Sequence, residues 1–230
     1  LVNRPDRPLP SGRISLNHAK TATAITMISS ILSIALCYWL ISESNPVEGF
    51  EVSDWYPSLA IWVIALILLI NYEFPFGLRL KDKGLPGNIS ISISVGLVVV
   101  FGASAVFEPF SEKAWSLFFV GIFYNTSREI IKDVQDMEGD KGRNTLAMRI
   151  GSENARTVAW VMSILALASV LLPFAIGIFP PLHVVLVIPA VMTLMMVKGR
   201  IIIGEDAAAS SLLKKSMLLC LVALLTSSLI

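Results

Sequence analysis

Charge is scarce in this 230-residue chain: 15% of residues are charged against 55% hydrophobic. A soluble domain, about a quarter charged, is thereby excluded. With a mean hydropathy of +0.73, the chain reads as a membrane protein. An excess of one sign is also missing, since 18 Lys and Arg face 17 Asp and Glu for a net charge of +1. That excludes a nucleic-acid binder, which needs a clear basic excess. Only two cysteines occur, Cys37 and Cys220, both inside apolar runs where a thiol behaves as a small hydrophobe. No disulfide framework and no CxxC metal or redox site is available. His18 and His183 fall near opposite membrane faces, so they cannot easily share a metal or a catalytic dyad. A P-loop, a GxGxxG turn and a Ser/His/Asp grouping are all missing. Residues 1–17 are polar and basic without an apolar h-region, which excludes a signal peptide. The sequence starts at Leu1 and stops at Ile230 inside an apolar run, and both ends are expected to be trimmed.

Long hydrophobic runs are what the chain has. A hydrocarbon core needs about 20 apolar residues of helix, and seven such runs lie near 18–42, 55–74, 88–106, 112–135, 153–178, 181–199 and 207–230. The fold class is all-α, a polytopic transmembrane helical bundle. Pro75 and Pro86 flank a loop, Pro180 and Pro181 mark a tight hairpin, and Pro173 and Pro189 are expected to bend their spans. The alternation Ser90, Ser92, Ser94 resembles a strand, but the run from Asn88 to Val106 is long enough for a span, and Ser90 with Ser94 offers a small-xxx-small contact face.

Charge placement sets an orientation. Seventeen of the 18 basic residues fall in or beside the N-terminal segment and the alternate loops at 79–83, 128–156 and 198–215; only Lys113 lies on the other side. The positive-inside rule puts that basic face in the cytoplasm. It does not explain the acids, because Glu129, Asp133, Asp136 and Asp140 are spaced i, i+4, i+7, i+11. On a continuous helix they fall within about 60° of one another. Gly139 is a point at which that helix can be interrupted.

Like charges at this spacing repel by roughly 0.2–0.5 kcal/mol per pair in water. Something positive must neutralise them. An all-oxygen carboxylate set without His or Cys suits Mg²⁺, which binds through one or two carboxylates plus substrate phosphates. Arg128 and Lys132 on the adjacent face offer the other solution, structural ion pairs. The Gly84–Asn88 stretch brings backbone and the Asn88 side chain near a helix N-terminus, which suits an anion or an ordinary N-cap equally.

Three segments carry a resemblance: RPDRPLPSGRIS at 4–15, LKDKGLPGN at 80–88 and REIIKDVQDMEGDKGRNTLAMRIG at 128–151. They resemble the UbiA superfamily of intramembrane prenyltransferases, nearest to its archaeal lipid-forming members. The resemblance implies nine spans around a large cavity, with two Asp-rich motifs holding Mg²⁺ and an isoprenoid diphosphate. Asp133, Asp136 and Asp140 then stand as catalytic metal ligands. Arg4, Arg7, Lys81, Arg128 and Lys132 stand as phosphate-holding candidates, and Asn88 as a group that orients a phosphate. The first Asp motif normally precedes the NRPxRPLPSG stretch, so residues 1–230 are expected to be a single prenyltransferase domain lacking its N-terminal motif and two spans. Related sequences often carry a Tyr where Phe76 stands, and Tyr72 lies one turn earlier.

The implied activity is Mg²⁺-dependent transfer of a geranylgeranyl group from its diphosphate to the hydroxyl of geranylgeranylglyceryl phosphate. Its partners would be that donor, a lipid-like phosphate acceptor and membrane lipid, with no nucleic acid. The implied location is the cell membrane, multi-pass, with the active-site loops cytoplasmic. Prenylation of an aromatic acceptor, as in quinone or chlorophyll-type synthesis, is the close alternative. An anion transporter is the alternative of another class, and the near absence of charge inside the spans counts against it.

Overall fold

The computed structural model describes residues 8–44, 51–74, 76–139 and 142–230. All seven apolar runs are helical, and no strand occurs among the described residues. In order these are α1 (Leu16–Ser44), α2 (Tyr56–Glu73), α3 (Leu85–Ala105), α4 (Glu112–Gln135), a short α5 (Leu146–Ile150), α6 (Ser152–Ala175), α7 (Ile188–Ile202) and α8 (Asp206–Leu229). Turns of 3₁₀ helix occupy Val52–Trp55, Leu80–Asp82 and Pro181–Val187.

Among the described residues six helical segments are long and apolar enough to cross a membrane, and α4 is not one of them. Its polar load is tolerable for a packing reason. The helix lies against α3, α6 and α8, so most of its polar side chains meet protein instead of lipid. Ser127 donates to the Ala159 carbonyl of α6 at 2.8 Å, and the Tyr124 hydroxyl lies 2.8 Å from Ser216 Oγ of α8. Ser216 in turn donates to the Ala190 carbonyl of α7 at 2.6 Å. Such partners offset the cost of burying polar groups away from water.

Two compact units divide the chain, Leu1–Ala60 and Ile61–Ile230. In the first, α1 is exposed along its length, and Trp55 is buried with its ring centroid 6.0 Å from that of Tyr38. In the second, α4 is the central helix and it approaches α3 closely. A Cβ on Gly96 would stand 2.7 Å from the Phe118 ring, so only glycine lets the two helices approach there. The small-xxx-small pair facing α4 is therefore Ser92 with Gly96, two residues along from the Ser90 and Ser94 expected. Ser94 Oγ instead donates within its own helix, to the Ser90 carbonyl at 3.1 Å.

Both prolines expected to bend spans sit near helix ends. Pro173 lies two residues before the end of α6, and its carbonyl accepts from the Ile178 and Phe179 amides at 2.8 and 3.2 Å. Pro189 opens α7 in its first turn, where its missing N–H costs nothing. The expected bend there is a change from 3₁₀ to α helix. His183 is placed in that 3₁₀ segment with Nδ1 3.0 Å from Ser227 Oγ, a structural contact.

Candidate functional site

The 80–88 loop is assembled by backbone constraints. Gly84 adopts φ 68°, and a Cβ there would lie 3.1 Å from the Leu146 amide nitrogen. A Cβ on Gly87 would stand 2.2 Å from the Leu80 carbonyl oxygen. Glycine at both positions lets the loop fold onto itself and onto the start of α5. Arg143 ties the two segments together, donating from Nε to Asp82 Oδ1 at 3.1 Å and from Nη2 to the Lys81 carbonyl at 3.0 Å. Thr145 then caps α5, its hydroxyl accepting from the Met148 amide at 3.4 Å. Thus two of the three segments that carry the family resemblance meet at one end of the second unit.

Helix α3 begins at Leu85, so Asn88 lies inside its first turn. The buried Asn88 side chain is not a cap: Nδ2 donates to Asp133 Oδ2 on α4 at 3.0 Å. Below it, the Asn88 carbonyl accepts from Ser92 Oγ at 2.6 Å, and Ser92 Oγ accepts from Asn125 Nδ2 at 3.2 Å. A polar ladder thus runs from Asp133 into the span along the α3–α4 contact.

Of the acidic stripe, Glu129 is neutralised by protein. Arg128 Nη1 approaches it at 3.0 Å and Lys132 Nζ at 2.7 Å. One carboxylate shared by two cations leaves one unit of positive charge over. Among the described residues Arg128 Nε is buried with no hydrogen-bond partner. The ion-pair reading therefore holds for Glu129, while Asp133 takes the Asn88 amide.

The expected continuous stripe is corrected at its far end. Helix α4 stops at Gln135, and Asp136 is its C-cap residue at φ −94°, ψ 3°. The chain turns there, with the Asp136 amide donating to the Lys132 carbonyl at 2.9 Å and the Gly139 amide to the Asp136 carbonyl at 3.1 Å. The interruption comes before Gly139. Asp140, Arg4 and Arg7 lie outside the described residues. Lys81 is placed on the 80–88 loop and pairs with Glu73 of α2. Among the described residues no group of three or more His, Cys, Asp or Glu is placed to hold a metal. Asp133 and Asp136 still supply two hard oxygen donors one turn apart. That suits an ion which takes one or two carboxylates and completes its shell with phosphate oxygens.

Tyr72, at the end of α2, is close enough to Glu129, Asp133 and Arg143 to feel their charges. Phe76 is 80% exposed and stacks near Phe74, with ring centroids 5.2 Å apart. Sequence reading missed the roles of Arg143 and of the Asn88–Asp133 bond. Their partners lie 61 and 45 residues away in sequence, and no local pattern marks such pairs.

A model of the UbiA prenyltransferase family matches residues 1–222. A relative from Methanopyrus kandleri, named digeranylgeranylglyceryl phosphate synthase, is 33% identical over 98% of this chain and 76% of its own length. One of the same name from Methanosarcina mazei is 32% identical over 96% of this chain and 71% of its own. A solved structure, described as giving insight into the biosynthesis of digeranylgeranylglyceryl phosphate synthase in membranes, superposes with a TM-score of 0.68. It is 27% identical and covers 98% of this chain and 75% of that one. Members of this family generally depend on a divalent metal.

Proposed function

This chain belongs to the UbiA prenyltransferase family and is a prenyltransferase of the membrane-embedded kind, and from that premise we propose that it joins a geranylgeranyl group to geranylgeranylglyceryl phosphate. The observation that carries the reading is the meeting of the 80–88 and 128–146 segments, which puts Asp133, held by Asn88, beside the Arg128–Glu129–Lys132 cluster. The acceptor assignment is supported by the shared name of relatives that align with nearly the whole chain. Residues 1–230 act in this reading as one prenyltransferase domain, which the family match across both compact units supports.

The donor diphosphate lies against Arg128, Lys132 and Lys81, with Arg4 and Arg7 further phosphate-holding groups. Arg128 Nε makes the hydrogen bond it lacks within the protein. Asp133 and Asp136, with Asp140, would hold Mg²⁺, which would neutralise charge on the leaving diphosphate. As the allylic C–O bond ionises, the Arg128, Lys132 and Lys81 side chains stabilise the developing phosphate charge in a site where water is scarce. Asn88 keeps the Asp133 carboxylate aimed, and the acceptor hydroxyl oxygen captures the allylic carbon as its proton passes to the departing diphosphate. The basic loops face the cytoplasm of the cell membrane, in keeping with positive-inside placement.

The test is to incubate purified protein with labelled geranylgeranyl diphosphate and a panel of acceptors. The expected product is the doubly prenylated glyceryl phosphate. If 4-hydroxybenzoate is the better acceptor, the aromatic reading replaces the lipid one.

A further inference from the structure

Resting on the prenyl-transfer reading, we propose that the cavity between α4 and α6 receives the far end of the donor chain, and that Trp115 is the stop that sets its length at four isoprene units. The cavity measures about 430 Å³ and is lined by Trp115, Phe119 and Phe123 of α4 and by Leu165, Ala168 and Leu172 of α6. Its lining is almost wholly apolar, as an isoprenoid chain requires, and its size falls in the range of small-molecule pockets.

Its place relative to Asp133 follows from the continuity of α4 over Glu112–Gln135. Trp115 precedes Asp133 by 18 residues and Phe119 by 14. At 100° per residue they lie at about 0° and about 40° from the Asp133 direction, so all three share one face. Along the axis Phe123, Phe119 and Trp115 stand about 15, 21 and 27 Å from Asp133 at 1.5 Å per residue. With carbon–carbon bonds of about 1.5 Å, an extended isoprene unit spans about 5 Å. A chain whose first carbon lies level with Asp133 along the axis therefore passes Phe123 with its third unit and ends beside Phe119 with its fourth. A fifth unit would meet Trp115.

Trp115 is built as a fixed wall. Its Nε1 donates to the Pro109 carbonyl at 2.9 Å, and its ring packs edge-on against Phe118 with centroids 5.0 Å apart. Ala168 faces it from α6 and is exposed to the cavity, so a larger side chain there fills space without entering the core.

The experiment measures kcat/KM with a fixed acceptor for allylic diphosphates of two to five isoprene units, in wild type, Trp115→Ala and Ala168→Phe. Trp115→Ala is expected to raise the ratio of five-unit to four-unit donor at least about tenfold, the scale on which a pocket discriminates apolar increments. Ala168→Phe is expected to lower the ratio of four-unit to two-unit donor by at least about the same factor. If both variants turn over donors with an unchanged length profile, the gauge is refuted and prenyl transfer stands. If wild type turns over no allylic diphosphate of any length, both readings fall together.

Discussion

Asn88 Nδ2 donates to Asp133 Oδ2 at 3.0 Å, joining two family-like segments that lie 45 residues apart in sequence. The bond matters because a carboxylate among other acids has several orientations of similar energy. Held by Asn88, which is itself packed into the first turn of α3, Asp133 presents its remaining lone pairs in one direction. Groups that orient a metal-binding carboxylate typically contribute about 10–100-fold in affinity or activity. Asn88→Ala is therefore expected to raise the Mg²⁺ concentration for half-maximal activity by about that factor, with much of kcat restored at saturating Mg²⁺. Asn88→Asp, which adds a like charge beside Asp133, should do worse. A merely structural role would lower kcat at all Mg²⁺ concentrations alike.

Metal dependence makes a blunter prediction. Asp133→Ala and Asp136→Ala are expected to lower turnover at least about a hundredfold while the bundle stays folded, because each change also removes one of several repelling carboxylates. Excess EDTA should abolish turnover, and added Mg²⁺ should restore it. Unchanged activity in EDTA would remove the metal from the mechanism.

The positions of the spans were legible in the sequence because lipid demands continuous apolar runs: all seven runs are helical, and among the described residues every one but α4 is long and apolar enough to cross a membrane. Helix α5 escaped the scan, since five residues after a Thr cap carry no span signal. The course of the acidic stripe was half legible. Helical spacing placed Glu129 and Asp133 correctly, but the turn at Asp136 is set by local hydrogen bonds that periodicity does not encode. The ion pairing by Arg128 and Lys132 is legible in the sequence, but that Glu129 takes both cations is visible only in space.

Arg128 separates charge from geometry. In Arg128→Lys the cation and its attraction to Glu129 remain, while the planar guanidinium and its buried Nε are gone. The variant is expected to raise donor KM about tenfold with acceptor KM little changed, the scale of one lost hydrogen bond to a charged group. Equal donor KM in the two proteins would remove Arg128 Nε from the diphosphate site.

Orientation is testable with single cysteines in a background lacking Cys37 and Cys220. Ser11, Lys83 and Asn144 are exposed and suit substitution, whereas Gly84 does not, because its positive φ and the nearby Leu146 amide reject a side chain. All three cysteines should react with an impermeant thiol reagent only from the cytoplasmic side. Labelling of any one from outside would invert or break the proposed topology.

Arg156 and Asp206 make the last prediction, which concerns stability. Arg156 Nε meets Asp206 Oδ1 at 2.8 Å and Nη2 meets Oδ2 at 2.6 Å, a two-pronged pair that ties the first turns of α6 to the start of α8. The side chains are only 21% and 10% exposed, so removing one partner strands a poorly solvated charge. Breaking such a pair costs about 3 kcal/mol, which for a chain of this size lowers the unfolding midpoint by about 5–10 °C. Asp206→Asn should show that loss in detergent-solubilised protein. Arg156→Lys should show most of it too, since an ammonium is a point charge that cannot reproduce the planar fork. The double change Arg156→Met with Asp206→Leu is expected to recover much of the midpoint, because the stranded charge disappears along with the pair. Equal midpoints for Asp206→Asn and wild type would mean that the pair adds nothing to the stability of the bundle.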